Sequence, residues 1–176
     1  MKSVIKKSLI IRRATEADID EILLFEARNQ LWFAQFLPQK ALEKLDRHYF
    51  KKQFSVSSQT WHYLIYSGNK QLIGRFCAQL LDAGEKTIEI SYRLEQKYTK
   101  QGIAQYVLKR LLLIFSCYEV STVYAYVGEA NESSIRLLLS CGFVHSTTEV
   151  QSIKLSTGIQ DGLSFKWESS PYQVLN

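Results

Sequence analysis

The residues best suited to chemistry lie between Thr87 and Phe115, TIEISYRLEQKYTKQGIAQYVLKRLLLIF. A β-branched run gives way to a short polar loop closing on Gly102 and Ala104, and an apolar-periodic segment follows. Small residues let backbone N–H groups converge on one point, and the positive end of a helix dipole behind them favours an anion. A strand, loop and helix of this kind can grip a pyrophosphate without a charged side chain, which points to a nucleotide-bearing cofactor. Gly102 omits the Cβ that would keep backbone away from a phosphate, and Ala104 is small enough not to cover it. Taken alone, Gly102 serves equally well as a helix-start glycine with no ligand. Lys97 and Lys100 either add screened attraction for phosphates or are solvated charges.

The elements around this loop must come from a chain of 176 residues, 46% hydrophobic and 12% aromatic, enough to bury a full core as one domain spanning residues 1–176. Eight glycines and two prolines, Pro38 and Pro171, leave no linker and no internal boundary. The apolar runs Leu9 to Ile11 and Leu111 to Phe115 are too short for a signal-peptide core or a bilayer span, so a cytoplasmic protein without a membrane partner is expected. Cys77, Cys117 and Cys141 lack C-x-x-C spacing and cannot all pair, which argues against a disulfide framework or zinc site and makes buried free thiols the default. His48, His62 and His145 share no ligand-like spacing, so no metal is expected. The net charge of +5 suits an acidic ligand. Its dense part, Lys6, Lys7, Arg12 and Arg13, surrounds a strand and reads as a solvated edge rather than a nucleic-acid patch.

Ser8 to Arg13 reads as a first strand, and Thr15 as the N-cap of a helix from Glu16 to Arg28 with Glu16 and Asp18 in its first turn. The aromatic stretch Leu31 to Pro38 precedes a charged helical segment from Gln39 to about Gln53. Trp61 to Tyr66, Gln71 to Leu81 and Thr87 to Leu94 read as three antiparallel strands joined by turns at Ser67-Gly68-Asn69-Lys70 and Asp82-Ala83-Gly84-Glu85. After the Gly102 helix come a strand at Val120 to Val127 and a helix at Asn131 to Ser140. A hairpin of Val144 to Leu155 and Leu163 to Trp167 turns at Ser156-Thr157-Gly158. The order is β-α-α-β-β-β-α-β-α-β-β.

That order, with the cradle after the fourth strand, resembles the GNAT family of acyl-CoA-dependent N-acyltransferases. The resemblance covers nearly the whole chain. Against the family's Q/R-x-x-G-x-G/A signature stand Thr99, Lys100, Gln101, Gly102, Ile103 and Ala104, with Thr99 replacing the usual Gln or Arg. Glu89 to Leu94 (EISYRL) is similar to the E-I-G-Y-x-L strand of the branch that acetylates ribosomal-protein N-termini, the RimJ/RimL-like enzymes. Asn131 to Phe143 resembles that branch's N-x-x-S and G-F segment, and Ile11 to Asp18 the family's I-R-x-A-x-x-x-D opening. The resemblance implies an α/β (α+β) fold with a mixed, mostly antiparallel central sheet of about seven strands and about four helices.

It also implies roles. Glu89 is the candidate general base, because an amine must lose its proton before attack and free amino groups titrate at about 8 to about 10.4. Period two puts Glu89 on the strand face opposite Ile88 and Ile90, where an ordinary polar-face glutamate would also sit. The backbone of Ser91, Tyr92, Arg93 and Leu94 would polarise the thioester carbonyl and hold the cofactor arm where the strand splays from its neighbour. Residues 99–104 would hold the pyrophosphate. Asn131, a good N-cap in its own right, would also touch the pantetheine. Ser134 would sit near the cofactor sulfur. The tyrosine that many relatives carry as general acid is replaced by Leu138, which leaves the acid to Ser134 or water, or makes it unnecessary for a thiol of pKa about 8.5. Trp32, Phe33 and Phe36 would wall the acceptor pocket, with Glu149 attracting a cationic acceptor; each aromatic is singly as well explained by core packing.

The function implied is acetyl transfer from acetyl-CoA, without a metal, to a protein N-terminus or small-molecule amine by direct attack in a ternary complex. Cys141 reads as a packed thiol rather than a nucleophile. Thr99 and Leu138 also allow a non-catalytic acyl-CoA binder, and the basic N-terminal edge an interaction module. The oligomeric state is open, a homodimer included.

Overall fold

The computed structural model describes residues 9–169. Lys6, Lys7, Ser8 and Pro171 lie outside them. The strands are β1 (Ile10–Arg13), β2 (Thr60–Tyr66), β3 (Leu72–Asp82), β4 (Thr87–Leu94), β5 (Thr122–Gly128), β6 (Val144–Leu155) and β7 (Gly158–Glu168). They form one sheet in the order β1-β2-β3-β4-β5-β7-β6, antiparallel throughout except for β4 and β5. Parallel neighbours need a crossover, and the helix opened by Gly102 supplies it.

Among the described residues the helices are α1 (Ile19–Arg28), α2 (Gln30–Phe33), α3 (Gln39–Glu43), α4 (Arg47–Phe54), α5 (Ile103–Cys117) and α6 (Glu132–Ser140), of which four exceed six residues. The mixed α/β fold read from the sequence holds, with differences of local cause. The first helix begins as a 3-10 turn at Glu16–Asp18, where the Asp18 carboxylate accepts from the Thr15 backbone N–H at 2.8 Å. The charged segment after Pro38 breaks in two because Asp46 caps a fresh helix, its Oδ1 accepting from the Tyr49 N–H at 2.7 Å. The aromatic stretch gains one helical turn, α2. The last strand runs from Gly158 rather than Leu163, since pairing with β6 overrides the weak strand propensity of Gly158, Gln160, Asp161 and Gly162.

Helices cover both faces of the sheet. On one, α5 packs Ile103, Val107, Leu108, Leu111 and Phe115 against Ile65, Phe76, Ile88, Ile90, Val123, Ala125 and Phe165. On the other, α1, α2 and α4 pack Ile22, Phe25, Phe33 and Phe50 over Leu64, Tyr66 and Leu72. Leu64 and Ile65 are adjacent and both wholly buried because β2 is covered on both faces, which erases the alternation expected of a half-exposed strand. Each such side chain contributes about 1.5–3 kcal/mol of transfer free energy.

Candidate active site

β4 and β5 pair at Thr87 with Thr122, Ile88 with Val123 and Glu89 with Tyr124, and no further. Beyond Glu89, β4 continues along β3 to Leu94, while β5 continues along β7 to Gly128. The two strands therefore part in mid-sheet. A cavity of about 170 Å³ fills the fork, lined by Ile90, Ser91, Tyr92, Ala125, Tyr126 and Leu138 among others. A larger cleft of about 540 Å³ adjoins it and reaches the Gly102 loop, the two sharing Phe36, Leu37, Tyr92, Asn131 and Ser134.

The loop is shaped by its backbone. Gly102 precedes α5 with φ 73° and ψ 11°, a left-handed conformation in which glycine escapes the Cβ penalty. Lys100 also has positive φ, 56°. The first α5 hydrogen bond runs from the Tyr106 N–H to the Gly102 carbonyl at 3.1 Å, so the N–H groups of Ile103, Ala104 and Gln105 have no helical acceptor. All three residues line the cleft, as do Thr99, Lys100 and Gly102. The positive end of a fifteen-residue helix thus opens on the cleft, which fits a pyrophosphate. Two side chains of the loop turn inward instead. Thr99 Oγ1 donates to the Gln96 carbonyl at 2.7 Å, and Gln101 Nε2 to the Lys97 carbonyl at 2.6 Å. Gln101 lines neither cavity.

Across the cleft, the Asn131 carboxamide oxygen caps α6 by accepting from the Ser134 N–H at 3.2 Å. That bond places Ser134 one turn into the helix, where its hydroxyl meets the Tyr92 hydroxyl at 2.5 Å. Tyr92 stacks on Phe76, centroids 5.2 Å apart, and burial raises its pKa, with the Ser134 hydrogen bond opposing the rise. The phenol therefore stays protonated at neutral pH. Leu138 is 1% exposed and belongs to the core.

The opposite wall is aromatic. Trp32 Nε1 donates to the Leu94 carbonyl at 3.1 Å, tying α2 to the end of β4, and Trp32 meets Phe36 edge to face at 4.9 Å. Phe33 is buried below them, and Arg93 completes this side.

The two acidic candidates lie apart from the cleft lining. Glu89 lines neither cavity; it is half-buried at the fork, on the strand face opposite Ile88, Ile90 and Tyr92, and burial raises its pKa. Glu149 also lines neither, and is exposed on β6 with Oε2 accepting from the Tyr126 hydroxyl at 3.0 Å. Tyr126 also reaches Ser152 Oγ at 2.6 Å and lies so close over Gly162 that a Cβ there would fall 1.8 Å from its oxygen.

Several lining residues escaped sequence reading: Leu37, Gln105, Ser133, Arg136, Leu137 and Ser140. Four share one α6 stripe, and the i, i+3, i+4 spacing from Ser133 would have found them. Gln105 Nε2 donates to Ser140 Oγ at 3.0 Å and closes the cleft end between α5 and α6. The thiols differ in part from the buried default. Cys141 is buried, Cys77 half-buried and Cys117 exposed at the last position of α5. Burial raises the pKa of Cys77 and Cys141, as for packed thiols. Among the described residues no three His, Cys, Asp or Glu side chains group as a metal site would need, and no helix is long and apolar enough to cross a membrane.

A sheet forked after its fourth strand, a helix N-terminus behind Gly102 and a cleft joining them agree with the sequence comparison: the acetyltransferase (GNAT) domain family matches residues 8–144, and the chain belongs to it. No curated protein matches the chain in sequence. Among solved structures it is similar to the ribosomal-protein-S5-alanine acetyltransferase of Vibrio fischeri, with a TM-score of 0.81 at 15% identity over 94% of this chain and 96% of that one. It is also similar to RimL, a ribosomal L7/L12 α-N-protein acetyltransferase solved with coenzyme A (TM-score 0.79, 18% identity, 91% and 93% of the two chains). A third is the spermidine N-acetyltransferase of Vibrio cholerae solved with CoA and spermine (TM-score 0.78, 18% identity, 97% and 99%). These likenesses establish a shared fold.

Proposed function

We propose that residues 1–176 form one N-acetyltransferase domain that moves an acetyl group from acetyl-CoA to a primary amine by direct attack in a ternary complex, in the cytoplasm and without a metal. The observation that carries this reading is the parting of β4 and β5 after Glu89, with a cleft running from the fork to the Gly102 helix terminus. Acetyl-CoA supplies the activated acetyl group as a thioester and leaves as the coenzyme A thiol. The N–H groups of Ile103, Ala104 and Gln105 hold its pyrophosphate, and Asn131 and Ser134 flank its arm. The free edge of β4 from Ser91 to Leu94 presents backbone groups to the thioester carbonyl as charge develops there. Glu89, its pKa raised by burial, takes the proton of the amine directly or through water. Ser134, its hydroxyl restored by a proton from water, or water itself gives a proton to the departing thiolate, which with a thiol pKa of about 8.5 can also leave unprotonated.

The acceptor is a protein N-terminus or a small amine entering past Trp32, Phe33 and Phe36. The V. fischeri and V. cholerae structures carry one acceptor class of each kind in their names. A second reading, a non-catalytic acyl-CoA binder, is favoured by Leu138 in the core and by Thr99 spending its hydroxyl on Gln96. Release of free thiol from acetyl-CoA, measured with peptide N-termini, polyamines and amino acid derivatives, separates the two. Amine-dependent release is expected; coenzyme A binding without it would leave the binder, and absence of binding would end both.

A further inference from the structure

On the β4 face turned toward α1 and α4, three charged side chains pack together, Glu26 and Arg75 buried and Arg93 partly so. Glu26 Oε1 accepts from Arg75 Nε at 3.1 Å and from Nη2, and its Oε2 accepts from Arg93 Nη1. Glu26 and Arg75 are 7% and 6% exposed. Two guanidiniums thus share one carboxylate. The other titratable groups packed here add no negative charge: His62 Nδ1 lies 3.2 Å from Arg75 Nη1 in a site that disfavours the imidazolium, and Tyr49 and Cys77 are both held protonated by burial. Glu95 is engaged by Arg28 and Lys97, and Glu89 stands four residues along the strand, roughly 13 Å away. The cluster keeps one positive charge in excess.

Of its members Arg93 is the one that lines the cleft. Its guanidinium lies over the Phe33 ring, 5.7 Å from the centroid, and among the described residues Glu26 is its one hydrogen-bond partner. Its remaining guanidinium N–H groups have no acceptor among the described residues. An uncompensated charge beside apolar walls favours entry of an opposite charge, and a guanidinium fits a carboxylate with two parallel hydrogen bonds. Alternation along β4 sends Tyr92 toward Ser134 and Arg93 toward Trp32 and Phe33, the side proposed for the acceptor.

We infer that Arg93 is an anion anchor for the acceptor, and that the acceptor carries a carboxylate near the amine it presents for acetylation. The inference rests on the transferase reading. A free amino acid, or a peptide with an acidic residue close to its N-terminus, would supply that chemistry. The test first titrates the wild-type chain with coenzyme A by calorimetry, where absence of binding would overturn the transferase reading itself. Acceptor binding to the coenzyme A complex and acetyl transfer are then measured with matched pairs, an amino acid against its carboxamide and a peptide with aspartate second against one with asparagine. The carboxylate member is expected to bind and react at least about tenfold better, and whichever pair shows it identifies the source.

Arg93→Met, which keeps the β4 backbone and removes only the guanidinium, should abolish that ratio, and the neutral Glu26–Arg75 pair it leaves behind preserves the fold. Arg75→Met, which gives Glu26 wholly to Arg93 and removes the excess charge, should also abolish it. Arg93→Lys should keep part of it. Equal losses for both members of a pair, or no discrimination in the wild type by binding or by transfer, would overturn the inference.

Discussion

Glu89 sits at the last pairing position before β4 and β5 separate, and burial pushes its carboxyl above the usual range. As a base it works only when deprotonated, so transfer should fall as pH drops through that raised pKa. Glu89→Gln should remove this acid limb and lower kcat on the order of 10²-fold while coenzyme A affinity holds, as stopped-assay pH profiles and calorimetry would report. An unchanged kcat would strike Glu89 from the mechanism. The Tyr92 and Ser134 hydroxyls form a second unit, 2.5 Å apart with either able to donate to the other, beside a phenol kept protonated by burial. Ser134→Ala and Tyr92→Phe should each slow transfer by roughly tenfold, and the double variant no more than either alone, because both remove one oriented proton. Additive losses in a double-mutant cycle would show that the two act separately.

Elements decide where these side chains meet. The left-handed Gly102 starts α5, so Gly102→Ala should cost about 1 kcal/mol of stability and weaken coenzyme A binding more than acceptor binding. Thermal unfolding and titration of each ligand read the two effects separately; unchanged cofactor affinity would argue for the plain helix-start role. At the other edge of the sheet Gly162 makes room for Tyr126, which holds Glu149. Gly162→Ala must displace the Tyr126 ring. If Glu149 helps draw in the acceptor, the KM for a cationic amine rises and coenzyme A affinity stays put; an unaltered KM would remove Glu149 from acceptor recognition.

At the scale of the whole molecule, the buried charges between β2, β3, β4 and α1 link stability to pH. His62 is 1% exposed, and burial, with Arg75 next, lowers its pKa from the ordinary 6.5 to about 3. Its Nε2 has no hydrogen-bond partner among the described residues. The folded state refuses a proton that the unfolded chain accepts, so the stabilising difference is full above about pH 6.5 and is lost as pH falls toward about 3. Across that window the urea midpoint should decline, by at most about 1.4 kcal/mol of stability per pH unit from this group. His62→Phe should flatten the slope between pH 6.5 and 4. A slope unchanged by that substitution would assign the acid sensitivity to other groups.

How much of this was legible beforehand follows from the range of the interactions involved. The bounds of β4 and β6, the Asn131 cap and the Gly102 helix start are local, fixed by alternation, turn residues and capping within a few positions, and the sequence by itself determined them. The fork after Glu89, the Tyr92–Ser134 contact across 42 positions and the Glu26–Arg75–Arg93 cluster join residues whose separation carries no periodic signal. Leu138 could be seen to replace a tyrosine, but that a phenol from β4 reaches Ser134 instead depends on how α6 packs over the sheet. Glu26 falls at helical spacing with Ile19, Ile22 and Leu23, a spacing that says nothing of what would pair its carboxylate; only the tertiary structure, by packing two arginines from neighbouring strands against it, decided that.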